Sequence, residues 1–170
     1  MSLEYRKFTT TVDQQDPIGS LCYPLWPDLD SRVWSGEAGT FPEQDYPSTI
    51  LTIPQVAKFY GDILAPRTRG YINIYMPEWR LNRWRRWYDI REKVKVNQTL
   101  SPIEQSEYDC FPDPTETQEI CDTYVGPVLQ WVVDVINEHN RIAFGMYAQT
   151  TFEDLLALYN SLSYPPFILS

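Results

Sequence analysis

His139 is the only histidine in the 170-residue chain, so any mechanism that needs an imidazole base has one candidate. The run before it, Val128, Leu129, Trp131, Val132, Val133, Val135 and Ile136, predicts an apolar helix central to the fold. That places His139 near the helix C-terminal end, where an imidazolium would meet the negative end of the dipole. A helix-end structural residue is the reading with more weight. The chain has no Gly-rich phosphate loop, no GxSxG elbow, no HExxH and no Cys/His zinc spacing. Asp28-Leu29-Asp30 opens like a calcium loop, but Arg32 and the missing terminal Glu break the match. Cys22, Cys110 and Cys121 are an odd number without CxxC spacing, which suits buried thiols in a reducing compartment. Twenty-three carboxylates make a glycosidase-type acid pair available by number, though no pattern selects one. The expectation is therefore a non-enzymatic chain with no catalytic residues, no cofactor and no metal. A carboxylate-dependent hydrolase is the enzymatic alternative.

The sharpest local feature is Trp79-Arg80-Leu81-Asn82-Arg83-Trp84-Arg85-Arg86-Trp87-Tyr88. Arg80, Arg83, Arg85, Arg86, Arg91, Lys93 and Lys95 supply seven of the fourteen basic residues within one expected helix from Pro77 to about Asn97. Interleaved Trp and Arg suit a protein hot spot or a stacking surface. At about 100° per residue, Trp79, Trp87, Ile90 and Val94 share one face, and Leu81, Trp84 and Tyr88 another. Such a helix should lie between two layers, its Arg stems on rings and its charged heads outward. Glu104, Glu107, Asp109, Asp113, Glu116, Glu119 and Asp122 follow without an intervening Lys or Arg. Charge matching between the two segments, within the chain or between subunits, is the economical expectation.

The elements that must position these residues divide near residue 77. Eight of the fourteen prolines (Pro17, Pro24, Pro27, Pro42, Pro47, Pro54, Pro66 and Pro77) lie at or before it. Each removes a backbone donor and keeps its predecessor out of the helical region, so residues 13–47 read as extended coil and turns. Tyr23, Trp26, Trp34 and Phe41 make this stretch too apolar for a linker. Its aromatics could be local core, dock on a neighbouring subunit, or, through Trp26 or Trp34, stack on sugar rings.

Strands are expected at Glu4–Val12 and Gly70–Met76, and a short helix from Pro54 to Leu64. Ser101-Pro102-Ile103-Glu104 is a capping box opening a helix, and Asp113-Pro114-Thr115-Glu116 repeats that logic. Gly126-Pro127 should break or kink the chain, Arg141–Ala148 reads as a strand, and Thr150-Thr151-Phe152-Glu153 caps a last helix. That helix should bury Leu155, Leu156, Leu158, Tyr159 and Leu162. The tail around Tyr164 and Phe167 is apolar enough to dock on a partner.

The sequence thus predicts an α+β fold in one domain, residues 1–170. Residues 1–50 are the Pro-rich arm with an edge strand, 51–76 a short helix and strand, and 77–170 the helical half. The expected role is a non-catalytic structural subunit, homo-oligomeric or within a hetero-assembly. Its expected contacts are Tyr23, Trp26, Trp34, Phe41, Trp79, Arg80, Arg83, Trp84, Arg86, Trp87 and Phe167. A bacteriophage particle component of neck, tail, baseplate or head is the assembly suggested by association. A glycan- or protein-binding module is the alternative. The formal charge of −9 opposes nucleic acid as a partner. The absence of both an eighteen-residue apolar run and a signal-type apolar core in MSLEYRKFTTTVDQQD sets an expectation of no membrane contact and of cytoplasmic synthesis.

Overall fold

The computed structural model describes residues 2–8, 22–24, 32–44, 46–111 and 119–168. The fold is α+β. Among the described residues, four short strands, β1 (Leu3–Phe8), β2 (Cys22–Pro24), β3 (Arg32–Glu37) and β4 (Ser48–Ile50), are followed by helices α1 (Ile53–Tyr75), α2 (Glu78–Lys95) and α3 (Pro102–Asp109). A π-helical turn at Cys121–Val125 then runs into α4 (Gly126–Tyr147), and α5 (Phe152–Asn160) closes the order. The chain forms two compact units: Met1–Arg67 with Glu138–Ser163, and Thr68–Asn137 with Tyr164–Ser170.

In the first unit the sheet order is β2-β3-β1-β4, with antiparallel pairing throughout. The two-residue period sorts its side chains onto two faces. Tyr5 and Val33 point to one side, into a core with Leu51, Val56, Ala57, Phe59, Tyr60, Leu64, Ile142, Met146 and Leu155. Arg6 pairs opposite Trp34, and that face carries Phe8, Trp34 and Phe41, with Tyr46 against them. Buried hydroxyls of Tyr5 and Tyr60 meet at 2.9 Å, satisfying two polar groups that burial would otherwise penalise. The arm expected over residues 13–47 therefore contributes strands and a local core. Residues 9–12, the far end of the expected first strand, lie outside the described residues, as does Asp113-Pro114-Thr115-Glu116.

Two expected strands are helical instead. Gly70–Met76 forms the end of α1 and the residue after it, and Arg141–Ala148 overlaps the last turns of α4. Ile72 with Met76, and Ile142 with Met146, are buried pairs four residues apart, a spacing that a strand shares with a helix, but a strand would also turn the residue midway between them to the same side. Ile74, inward-facing in the strand reading, is 73% exposed. Pro66 lies inside α1, past the expected end at Leu64. Its missing N–H costs a helix about 3 kcal/mol, but buried Leu64, Thr68 and Ile72 on either side hold the helix through it.

The local start and stop signals act where they stand. The Thr151 side chain accepts from Asp154 N–H at 3.2 Å to open α5, and Leu155 is its buried residue. Gly145 admits α5 closely, since a Cβ there would meet Leu158 Cδ2 at 2.8 Å. At Gly126-Pro127 the chain does not break. The Gly126 N–H donates to the Cys121 carbonyl, the wide π spacing, and Pro127 sits in the first turn of α4, where its lost donor is tolerated. His139 accordingly lies in the interior of α4 rather than at its end, and burial pushes its pKa down.

The second unit packs Ile72, Met76, Leu81, Val128, Trp131, Val132 and Val135 together. The tail closes over this cluster. Tyr164 stacks on Tyr71 at 4.7 Å, and Phe167 meets Tyr75 at 4.8 Å and Trp131 at 4.9 Å. One carbonyl, that of Pro165, accepts from both the Trp131 indole at 3.0 Å and the Tyr71 hydroxyl at 2.9 Å. Phe167, expected on a partner, is thus used within its own chain.

Candidate interaction site on helix α2

Pro77 precedes α2 with φ −54°, already helical in φ, and its carbonyl accepts from Arg80 and Leu81 at 3.0 Å. At the other end Asn97 takes the left-handed conformation, φ 56°. Its following amide, Gln98 N–H, returns to the Lys93 carbonyl at 2.8 Å, a stop that Asn tolerates better than most residues. Between these ends, Leu81, Ile90 and Arg91 are buried.

The acidic segment meets α2 as its composition predicts. Ser101 and Glu104 form a reciprocal capping box at the start of α3: Ser101 N–H donates to the Glu104 carboxylate at 2.9 Å, and Glu104 N–H to Ser101 Oγ at 3.2 Å. Glu104 also accepts from Lys93 Nζ and lies 3.9 Å from Arg86. The Lys93 ammonium, then the Ser101 amide, hold its carboxyl down at about 2. Arg86 Nε donates to Glu107 at 2.7 Å, and that bond raises the guanidinium's pKa. Lys95 pairs with Asp122 at 3.5 Å. The buried Arg91 donates to the Tyr108 hydroxyl at 3.4 Å.

Four residues stand apart from this neutralised set. Trp79 is 63% exposed, with the Arg80 guanidinium 5.2 Å from its ring centroid. Arg83 lies 5.0 Å over Trp87. Among the described residues, no carboxylate forms an ion pair with Arg80 or Arg83. At about 100° per residue, Trp79, Arg80, Arg83 and Trp87 fall on one side of α2.

Beside Arg83 and Trp87 the surface opens into a groove of about 370 Å³. Arg83, Arg86 and Trp87 line it from α2, Ser106 and Glu107 from α3, and Cys110 and Phe111 from the residues that follow α3. Phe111 lies 5.6 Å from Trp87 and 5.5 Å from Tyr108, giving the groove an aromatic floor.

The structure thus brings Trp79, Arg80, Arg83, Arg86 and Trp87 together, although Arg86 is already bound to Glu107. It separates the others. Trp34 and Phe41 are core residues of the first unit, because β1–β3 pairing sets Trp34 opposite Arg6 and the following turn folds Phe41 over it. Trp34 therefore offers no open ring to a sugar. Trp84 packs against the core of the second unit rather than facing out. The side chain of Tyr23 and all of Trp26 lie outside the described residues. Ser106, Cys110 and Phe111 were not expected at the site; the signal for them was their position one to three turns into the acidic segment that Arg86 had to meet.

Cys110 is exposed, against the expectation of buried thiols, whereas Cys121 is buried and its thiol pKa is pushed up by that burial. Among the described residues no group of His, Cys, Asp and Glu could hold a metal ion, and no helix is long and apolar enough to cross a membrane. No family model matches the chain, and no curated protein or solved structure is significantly similar to it.

Proposed function

We propose that this chain is a non-catalytic subunit of a larger protein assembly and contacts its partner through the Trp79–Trp87 face of α2. The observation that carries this is the exposed Trp79 beside Arg80, with Arg83 over Trp87 on the same side of the helix, two guanidinium groups without a described carboxylate partner. Trp and Arg are the residue types most enriched at interface hot spots, where large rings and forked donors meet a desolvated partner. An indole this exposed loses apolar contact to water, and a partner surface would recover it.

A photo-crosslinking amino acid at Trp79, with the exposed Lys58 position of the first unit as control, tests the reading in native extract. The expected result is a discrete crosslinked species of higher mass from position 79 and none from position 58. Size-exclusion chromatography with mass determination, showing a monomer in that same extract, would overturn it.

A further inference from the structure

We infer that the groove between α2 and α3 receives a short acidic segment of a partner protein. One carboxylate of that segment binds Arg83, and the neighbouring large apolar side chain lies on the Trp87–Phe111 floor. This rests on the subunit reading above and names the chemistry of the partner.

Charge decides the sign. The groove holds Arg83, Arg86 and Glu107, and Glu107 is occupied by Arg86 at 2.7 Å. Among the described residues, the groove cation without a carboxylate partner is Arg83. Its contact with Trp87, at 5.0 Å, restrains the guanidinium through its face, a contact that does not use the edge N–H groups a carboxylate takes in parallel. Arg80 and Arg85, both exposed, add positive potential along the same helix.

Size and lining decide the rest. A volume of about 370 Å³ is near the low end of small-ligand pockets, roughly 300–1,000 Å³. It suits one or two side chains, not a folded surface. The rings of Trp87 and Phe111 at 5.6 Å supply an apolar seat next to the cation. A single-stranded nucleic acid would also use rings and arginines, but it needs a row of cations along its backbone. Here one cation is neutralised by Glu107, and the whole chain carries −9, which repels polyanions. A short peptide with one carboxylate at Arg83 meets the local positive charge without requiring that row.

The test uses the full chain and fluorescein-labelled peptides of about twelve residues in a Gly/Ser background. The probe peptide carries a central Glu-Phe pair; its controls carry Gln-Phe, Glu-Ala or Lys-Phe. An oligothymidylate of roughly fifteen nucleotides is the competing probe. The Glu-Phe peptide should bind with a Kd of about 1 mM or tighter, and each control at least about tenfold more weakly. Arg83→Gln should weaken binding about tenfold with an unchanged thermal melt, and Arg83→Lys should recover only part of it.

Four results would overturn the inference. They are no Glu-Phe binding at about 1 mM, equal binding of Gln-Phe, no effect of Arg83→Gln, and tighter Arg83-dependent binding of the oligonucleotide. Self-association abolished by Arg83→Gln would assign the groove to a second copy of this chain and overturn it too. Failure of the peptide with position-79 crosslinking intact removes the groove chemistry and leaves the subunit reading standing. Peptide binding without crosslinking removes the subunit reading instead.

Discussion

The cluster of Phe8, Trp34, Phe41 and Tyr46 and the α2 face of Trp79, Arg80, Arg83 and Trp87 are built from similar residues. Each sets a guanidinium over a ring: Arg6 lies 5.0 Å from Phe41, and Arg83 5.0 Å from Trp87. Their surroundings differ. Arg6 is buried and is held by Glu4, Glu43 and, at 3.2 Å, the Ser48 hydroxyl, while Trp34 is 3% exposed. Around Arg83 no described carboxylate plays that part. Burying a guanidinium is tolerable when charged partners come with it. The first cluster has those partners and closes as core; the second lacks them and stays at the surface.

The largest expected effect is at the closed cluster. Trp34→Ala should destabilise the chain by about 3–5 kcal/mol, as large-to-small changes in packed cores do; urea denaturation measures it. Arg6→Met should cost about 3 kcal/mol by the same measurement, because it leaves the Glu4 carboxylate poorly compensated. A loss near zero would mean that Arg6 is not needed to close the cluster, and the contrast drawn above would fail.

Next comes the capping box at the start of α3. Ser101→Ala should cost about 1 kcal/mol, the usual value of a lost helix cap. Its partner Glu104 sharpens the contrast through pH. Bonded by Lys93 and the Ser101 amide, its carboxyl sits at about 2 instead of 4.5. A depressed acid stabilises the fold fully above its unfolded pKa and loses that contribution as pH falls through the folded value. The gap in urea midpoint between the wild type and Glu104→Gln should therefore be whole above about pH 4.5 and close toward pH 2. A constant gap would show that the effect is packing and not charge.

The smallest effect is expected at the open face. Trp79→Ala should change stability by less than about 0.5 kcal/mol, as surface substitutions generally do. A cost near that of Trp34→Ala would break the comparison.

How much of this was legible depended on how far apart the deciding residues lie. The Ser101–Glu104 box and the Thr151 cap are signals written within four residues, and both form. The pairing of Arg86, Lys93 and Lys95 with Glu104, Glu107 and Asp122 could be read because the two charged segments are adjacent in sequence. Gly70–Met76 misled because Ile72, Ile74 and Met76 satisfy a two-residue period as well as a four-residue one. What chose between them was burial of Ile72 and Met76 against Trp131 and its neighbours, about sixty residues away. For Trp34 and Phe41 the sequence leaves local core and partner contact both open, because their cover comes from β1, through a pairing that no local pattern announces. The groove was half visible: its α2 wall followed from the Trp/Arg run, but Cys110 and Phe111 enter only once α3 folds back.

The Pro165 carbonyl binds two donors, the Trp131 indole and the Tyr71 hydroxyl, so the last residues act as a latch with a built-in reporter. Undocking the tail would free both donors at once and wet the indole, even while the helices stay folded. Trp131 indole hydrogen exchange, compared with that of backbone amides in the same helix, should therefore give the latch its own opening free energy, separate from global unfolding.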